Sequence, residues 1–397
     1  GGGAAPSTEG DEDYDDPLRA EIAYERVTSM VGEVVNEYAD AARMVLLPAN
    51  TVMSREAALE VVHAGAALER LDIPPPCCGA LSAVAREVTK EYCLSIVHSV
   101  RDVAIEFARS APLDAVTLPE QLRVLVLEAL RELRDVVAPG TPAAVLARDA
   151  CIKAPVSAAR EMHAAYFSAL NIGGGGVCSA SSTTAASNAN VKQVEHYLIV
   201  ASCIHGLAER VIPSVGPALS DALGGEGFAP VVNAAVGVIH GIERAVVEHF
   251  AHLMAAPLVC RVVRGVVAGG ALHGSLVPPR AYACELVSEL VLITARARAV
   301  ARPRIAEQVL NLLKTAVGNA FRDSLLEMDE FQGVAMEQLL LELEFVEQIL
   351  APKAKTGFFL AAKRTLEATT RRSSAYDAIL HTAVTMNALE QKALQAP

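Results

Sequence analysis

The sequence contains no Trp, and aromatic residues make up only 4% of its 397 positions. Carbohydrate and nucleobase sites usually offer aromatic platforms, so both are disfavoured. Positive charge is also scarce. Lys and Arg total 34 against 46 Asp and Glu, a formal net charge of −12, and broad phosphate neutralisation needs clustered basic residues. A nucleic-acid partner is therefore excluded. Uninterrupted apolar runs are missing too. The best candidate span, "LVCRVVRGVVAGGALHGSLV" at 258–277, contains Arg261, Arg264 and several glycines. A membrane-crossing helix wants about 20 apolar residues and few charges, so this stretch reads as a buried or kinked core segment. None of the eight cysteines (77, 78, 93, 151, 178, 203, 260, 284) forms a C-x-x-C. That usage fits a reducing compartment with Cys as a small buried residue.

Strand patterns bounded by hairpin turns are absent, and no repeat has a fixed length. What remains is helical periodicity. Ile22, Val27, Met30, Val31, Val34, Val35 and Tyr38 recur at three- and four-residue spacing behind Pro17. "SREA" at 54–57 is a helix start with an acid in the first turn. Further patterns run over 80–108, 120–137, 142–170, 191–212, 229–254, 281–301, 304–328, 335–350, 353–370 and 373–394, fenced by Pro or Gly. The expectation is an all-α protein of roughly ten to twelve helices. Residues 1–16 read as a disordered acidic tail, 17–170 as a helical bundle, 171–190 as a flexible low-complexity insert, 191–328 as a second bundle and 329–397 as a C-terminal bundle. The chain opens at Gly1 without a visible signal peptide, and is expected to be a fragment.

Each pattern that would carry chemistry falls short. "GGGG" at 173–176 lacks the G-K-[ST] of a phosphate loop, and "HGSLV" at 273–277 lacks the glycines of a nucleophile elbow. His240, His249 and His252 supply no H-E-x-x-H, and sequence places no fourth ligand beside them. Cys77-Cys78 follows a proline run and reads as a loop with two small buried side chains. The acidic run Asp11–Asp16 lacks the Gly and terminal Glu of a calcium loop. No catalytic, cofactor-binding or metal-binding residue is assigned.

The richest cluster of carboxylates lies in "MEQLLLELEFVEQIL" at 336–350. On a helical wheel Met336, Leu339, Leu340, Leu343, Val346 and Leu350 share one stripe. Glu337, Glu344 and Glu347 project away from it and Glu342 flanks it, which places these acids in solvent. A solvated carboxylate lacks the raised pKa that acid catalysis needs. The following pattern carries Phe358, Phe359, Ala362 and Leu366 among basic residues. An antiparallel helix pair is expected, with Leu339, Leu343, Val346, Phe358, Phe359 and Leu366 in one seam.

The stretch "GVAMEQLLLELEFVEQILAPKAKTGFFLAAKRTLE" resembles the C-terminal portion of the Ral-binding subunit of the exocyst, exocyst complex component two. "VEHYLIVASCIHGLAERVIPSV" (194–215) and "LVPPRAYACELVSELVLITARARAVARPRIAEQVLNLL" (276–313) are similar to further segments of that family, in the same order. The resemblance covers roughly 190–370. It implies an elongated rod of stacked helical bundles: a non-catalytic, cytoplasmic subunit, peripheral at the plasma membrane and secretory vesicles. Its partners would be other exocyst subunits, and membrane contact would be indirect. The family's Ral-binding domain and N-terminal coiled coil are not in this sequence, so small-GTPase binding would fall to a region preceding it. A related helical tethering complex stays open as an alternative, as does an all-helical metal-dependent enzyme built around His240, His249 and His252.

Overall fold

The computed structural model describes residues 17–48, 53–71, 73–109, 114–173, 184–224, 228–269, 275–326, 333–350, 359–369, 372–373 and 375–395. Among these the protein is all-α. Thirteen α-helices follow one another: α1 (Pro17–Leu46), α2 (Arg55–Arg70), α3 (Pro75–Arg109), α4 (Thr117–Arg134), α5 (Pro142–Gly173), α6 (Thr184–Gly206), α7 (Ile212–Leu223), α8 (Ala229–Gly269), α9 (Ala281–Val300), α10 (Pro303–Leu326), α11 (Gly333–Leu350), α12 (Leu360–Thr369) and α13 (Tyr376–Gln395). A π-helical turn, Leu207–Val211, joins α6 to α7 without a break.

Several starts are written locally. Ser54 Oγ accepts the Ala57 N–H at 3.2 Å, and Thr141 Oγ1 accepts that of Ala144 at 3.3 Å. Asp114 accepts the Thr117 N–H at 2.7 Å, and hydrogen bonds from the Thr117 hydroxyl and N–H hold its carboxyl below the usual range. Gly224, at φ 65°, follows the last residue of α7 in the left-handed conformation that Gly adopts without a Cβ clash.

Three expectations change. Pro75 and Pro76 open α3 rather than a loop, so Cys77 and Cys78 sit in its first turn, with the Cys77 thiol 3.2 Å from Thr28 O. Pro suits a first turn because its missing N–H has no helical partner there. The segment 258–269 continues α8, which runs unbroken for 41 residues through Pro257. Helix also enters both ends of the stretch expected to be a flexible insert, to Gly173 and from Thr184. Residues 174–183 lie outside the described residues. So do the acidic tail 1–16, residues 273–274 and Phe358.

The chain forms two compact units from interleaved segments. Unit 1 comprises Gly1–Val103, Val124–Ala154 and Ser214–Pro230; unit 2 comprises Ala104–Arg123, Pro155–Pro213 and Val231–Pro397. In unit 1, Val84, Val88, Cys93, Leu130 and Leu133 are buried. In unit 2, α11 packs against α9, α12 and α13, while α6 packs against α9 and α10. The expected seam residues Leu339, Leu343, Val346, Phe359 and Leu366 are all buried.

Two helices are long and apolar enough to cross a membrane by length and composition, Glu195–Leu223 and Ala229–Ala268. Protein buries 72% of the most apolar window of the first, as in a core helix. It buries 39% of the corresponding window of the second, and Val238, Val263 and Val267 of that helix lie on the surface.

Close approach of α8 and α9 depends on Gly265. A Cβ there would overlap the Tyr282 ring, which is held in place by the hydrogen bond of its hydroxyl to Glu342. Gly265→Ala is therefore expected to destabilise unit 2 by about 1–3 kcal/mol, the usual cost of overpacking. Urea denaturation checks this, and Gly237→Ala, whose Cβ meets nothing within 4 Å, serves as the tolerated control.

Candidate functional sites in the second unit

The carboxylates expected in solvent are buried. Glu337, Glu342 and Glu344 retain 7%, 0% and 5% exposure, and only Glu347 is half-buried. The physical reason lies in the helix itself. Leu339, Leu340, Leu341, Leu343, Phe345 and Val346 surround α11 with apolar side chains, and each is at most 1% exposed. A helix apolar on all sides is enclosed by its neighbours, and its acids are enclosed with it.

Each buried acid is matched. Glu342 accepts from the Arg280 backbone N–H at 3.1 Å, from its Nε and Nη2 at 2.6 and 2.7 Å, from the Tyr282 hydroxyl at 2.6 Å and from Gln338 Nε2 at 3.1 Å. Gln338 also accepts the Val277 N–H at 3.0 Å, fixing the turn before α9. Glu344 accepts from Lys363 Nζ at 2.8 Å, Arg372 Nη2 at 2.7 Å and the Tyr376 hydroxyl at 2.9 Å. Glu337 accepts the Ser373 N–H. The same device thus occurs twice: a Glu of α11 holds an Arg before a helix and a Tyr in that helix's first turn. In both cases the guanidinium also lies over the Tyr ring, at 5.0 Å for Arg280 and 4.8 Å for Arg372. Removal of the hydroxyls from water and the adjacent Glu charges push the Tyr282 and Tyr376 phenols well above their ordinary value. Burial alone would depress Lys363, but its hydrogen bond to Glu344 and the Glu344 and Glu347 charges outweigh it and raise the amine. These acids are consumed by binding helices together.

A second cluster forms where α6, the π-helical turn and α8 meet. Glu243 Oε2 lies 3.1 Å from His205 Nδ1 and 2.9 Å from His240 Nδ1, and the three donor atoms all lie within 4.8 Å of one another. Burial would raise the Glu243 carboxyl, but hydrogen bonds from the two imidazoles prevail and hold it below the usual range. On its other side His240 Nε2 faces Glu209 Oε1 at 3.6 Å, and Glu209 pairs with Arg304 at 3.1 Å. His205, His240 and Glu243 are the residues that could hold a metal. His249 and His252 do not join them. They lie 9 and 12 residues further along α8, about 14 and 18 Å at 1.5 Å per residue. The His249 ring packs on Phe167 at 5.0 Å, and His252 is exposed. Sequence reasoning missed His205, Glu209 and Glu243. The i, i+3 spacing of His240 and Glu243 was a local signal, whereas His205 arrives only through folding.

The remaining features are quieter. An apolar cavity of about 440 Å³ is lined by Pro278, Pro279, Phe345, Ile379 and Met386 among others. No disulfide links the seven described cysteines. Burial pushes the Cys93 thiol up to about 11 and those of Cys151 and Cys203 up to about 12, so none is a ready thiolate nucleophile. No family model, curated protein or solved structure matches the chain.

Two outcomes are expected from the α11 network. Glu342→Gln leaves the Arg280 guanidinium, 18% exposed, without its counter-charge and should cost about 3–5 kcal/mol. Glu344→Gln should cost less, because Arg372 is 42% exposed and water can compensate it. Exposed Glu307→Gln should stay within about 0.5 kcal/mol. Equal midpoints in urea for all three would show that the network does not hold the helices.

The second outcome concerns pH. A phenol raised in the folded state contributes stability that is complete below the unfolded value of about 10. It is lost as pH rises through the folded value, because only the unfolded chain then releases the proton. The wild type should lose stability more steeply above pH ~10 than Tyr376→Phe, as read from urea midpoints across an alkaline series.

Proposed function

We propose that this chain is a non-catalytic subunit of an exocyst-type vesicle-tethering complex, one that helps to hold secretory vesicles at the plasma membrane before fusion. Its partners are the other helical subunits, its place is cytoplasmic and peripheral, and its bundles form part of an elongated rod. The ordered resemblance over roughly 190–370 supports the exocyst reading, together with the all-α fold. The carboxylates most suggestive of catalysis are already committed to structure.

The observation that carries the assembly reading is on α1. Val27, Met30, Val34, Tyr38 and Val45 are 60%, 66%, 66%, 38% and 65% exposed. At 100° per residue they form one stripe. The helix already has a separate buried face, carried by Val35 and Ala39, with Gly32 against Cys77. A second apolar stripe, left in solvent beside the first, fits a helix of a partner subunit bearing a matching apolar seam. A related tethering complex would use the stripe in the same way with different partners. The metal-dependent enzyme has a specific observation in its favour, the convergence of His205, His240 and Glu243. The apolar cavity, however, is lined by none of those three residues.

Affinity purification of the tagged full-length protein tests the proposal. Co-elution of exocyst subunits supports it, a different set of helical subunits identifies the related complex, and an isolated monomer overturns both. Met30→Glu and Val34→Glu should leave the urea midpoint unchanged within about 0.5 kcal/mol and reduce partner recovery severalfold. Undiminished recovery would remove α1 from the interface.

A further inference from the structure

We infer that His205, His240 and Glu243 form a binding site for a divalent first-row transition metal ion of the Zn²⁺ type. The inference goes beyond the proposed function and does not depend on it.

The geometry comes first. Metal–nitrogen and metal–oxygen bonds of about 2.0–2.2 Å require neighbouring donor atoms to lie about 3.0 Å apart in an octahedral arrangement and about 3.4 Å apart in a tetrahedral one. The two edges meeting at Glu243 Oε2 measure 3.1 Å to His205 and 2.9 Å to His240, and all three donor atoms lie within 4.8 Å of one another. Both imidazoles direct Nδ1, not Nε2, at the same carboxylate oxygen. Two edges thus already match a metal's coordination sphere, and the third completes it when the two histidine donors lie no more than about 4.2 Å apart, twice the bond length.

Charge and donor type agree with that placement. The Glu243 side chain is 4% exposed and that of His205 is 8% exposed, so water solvates neither well. One carboxylate with two neutral imidazoles leaves a single negative charge, which a divalent ion more than offsets. Two nitrogens and one oxygen suit Zn²⁺, Co²⁺, Ni²⁺ or Fe²⁺, whereas Mg²⁺ and Ca²⁺ prefer oxygen ligands alone. Binding would replace protons on nitrogen with the metal ion.

The surroundings complete the argument. A metal-bound histidine commonly turns its other nitrogen toward a carboxylate, which orients the ring and raises its basicity. His240 Nε2 faces Glu209 at 3.6 Å, and Glu209 is braced by Arg304. Glu209 is supplied by the π-helical turn Leu207–Val211, and such turns occur frequently at functional sites. The His240 side chain is 27% exposed, which gives an ion an entry side and leaves coordination positions for water or a partner's side chain. The bound ion would tie α6 to α8.

The test uses the full chain, stripped with a chelator and then titrated with Co²⁺ while the visible d–d absorption is followed. The expected result is one Co²⁺ per chain, displaced by Zn²⁺ and not by Mg²⁺, with thermal stability raised by Zn²⁺ and returned by chelator. His240→Ala should abolish the absorption. Glu209→Gln should weaken binding about 10–100-fold without removing it, and His252→Ala should bind as the wild type does. If His240→Ala does not fold, as judged by circular dichroism in chelator, the Glu209→Gln and His252→Ala comparison decides. No wild-type absorption, equal displacement by Mg²⁺, undiminished binding in folded His240→Ala, or equal effects of Glu209→Gln and His252→Ala would each overturn the site.

Discussion

Glu342 has no exposed surface, and an anion taken out of water must find its counter-charge and hydrogen bonds inside the protein. It finds both in the residues that begin α9. Glu344 does the same with the residues flanking and opening α13 and with Lys363 of α12. Burial of the leucines on α11 supplies the bulk of the energy, about 2 kcal/mol for each side chain, but apolar contact is indifferent to register. The acids are not. Sliding α11 by one residue along α9 would leave a buried carboxylate facing carbon, so the costly groups fix which helix starts lie where.

Helix boundaries written by nearest neighbours were legible. Ser54 and Pro17 marked starts, whereas Pro257 and Gly265 did not stop α8, and the apolar stripe Leu339–Leu343–Val346 was read correctly as core. The carboxylates between those leucines were not, because their partners outside α11 lie 19 to 62 residues away in sequence. A helical wheel sees only one element and returns an amphipathic answer. The contrary signal was present in Leu341 and Phe345, which put apolar surface on the remaining sides. The histidine cluster shows the same limit. His240 and Glu243 were within reach of a spacing argument, but nearness in sequence grouped His240 with His249 and His252. Glu243 instead turns His240 toward α6.

The molecule deploys apolar surface in two ways. In α11 it encloses every side and forces each acid into a bond. In α1 and along part of α8 it remains outside: Met30 and Val34 are each 66% exposed and Val267 is 57% exposed. Enclosed acids and exposed aliphatics are the reverse of the usual distribution. The combination directs attention away from the acid-rich helix and toward helix faces left in solvent. It also accounts for a chain with so little aromatic content. Ala, Val and Leu fill most of the core, and at Gly265 against Tyr282 the approach is closer still, with no room even for a Cβ.

The start of α9 has a consequence in time. Arg280, at its N-cap, makes no side-chain cap of its own, and its backbone N–H is satisfied by Glu342, 62 residues later. At a synthesis rate of about 5–20 residues per second, the ribosome completes the first turn of α9 about 3 to 12 seconds before the group that caps it exists. During that interval only water serves the N–H, and the Arg280 guanidinium is a mobile, solvated cation. α9 therefore emerges with a frayed beginning and acquires its final boundary when α11 docks. The start of this helix is thus set by the arrival of a later segment as much as by its own residues.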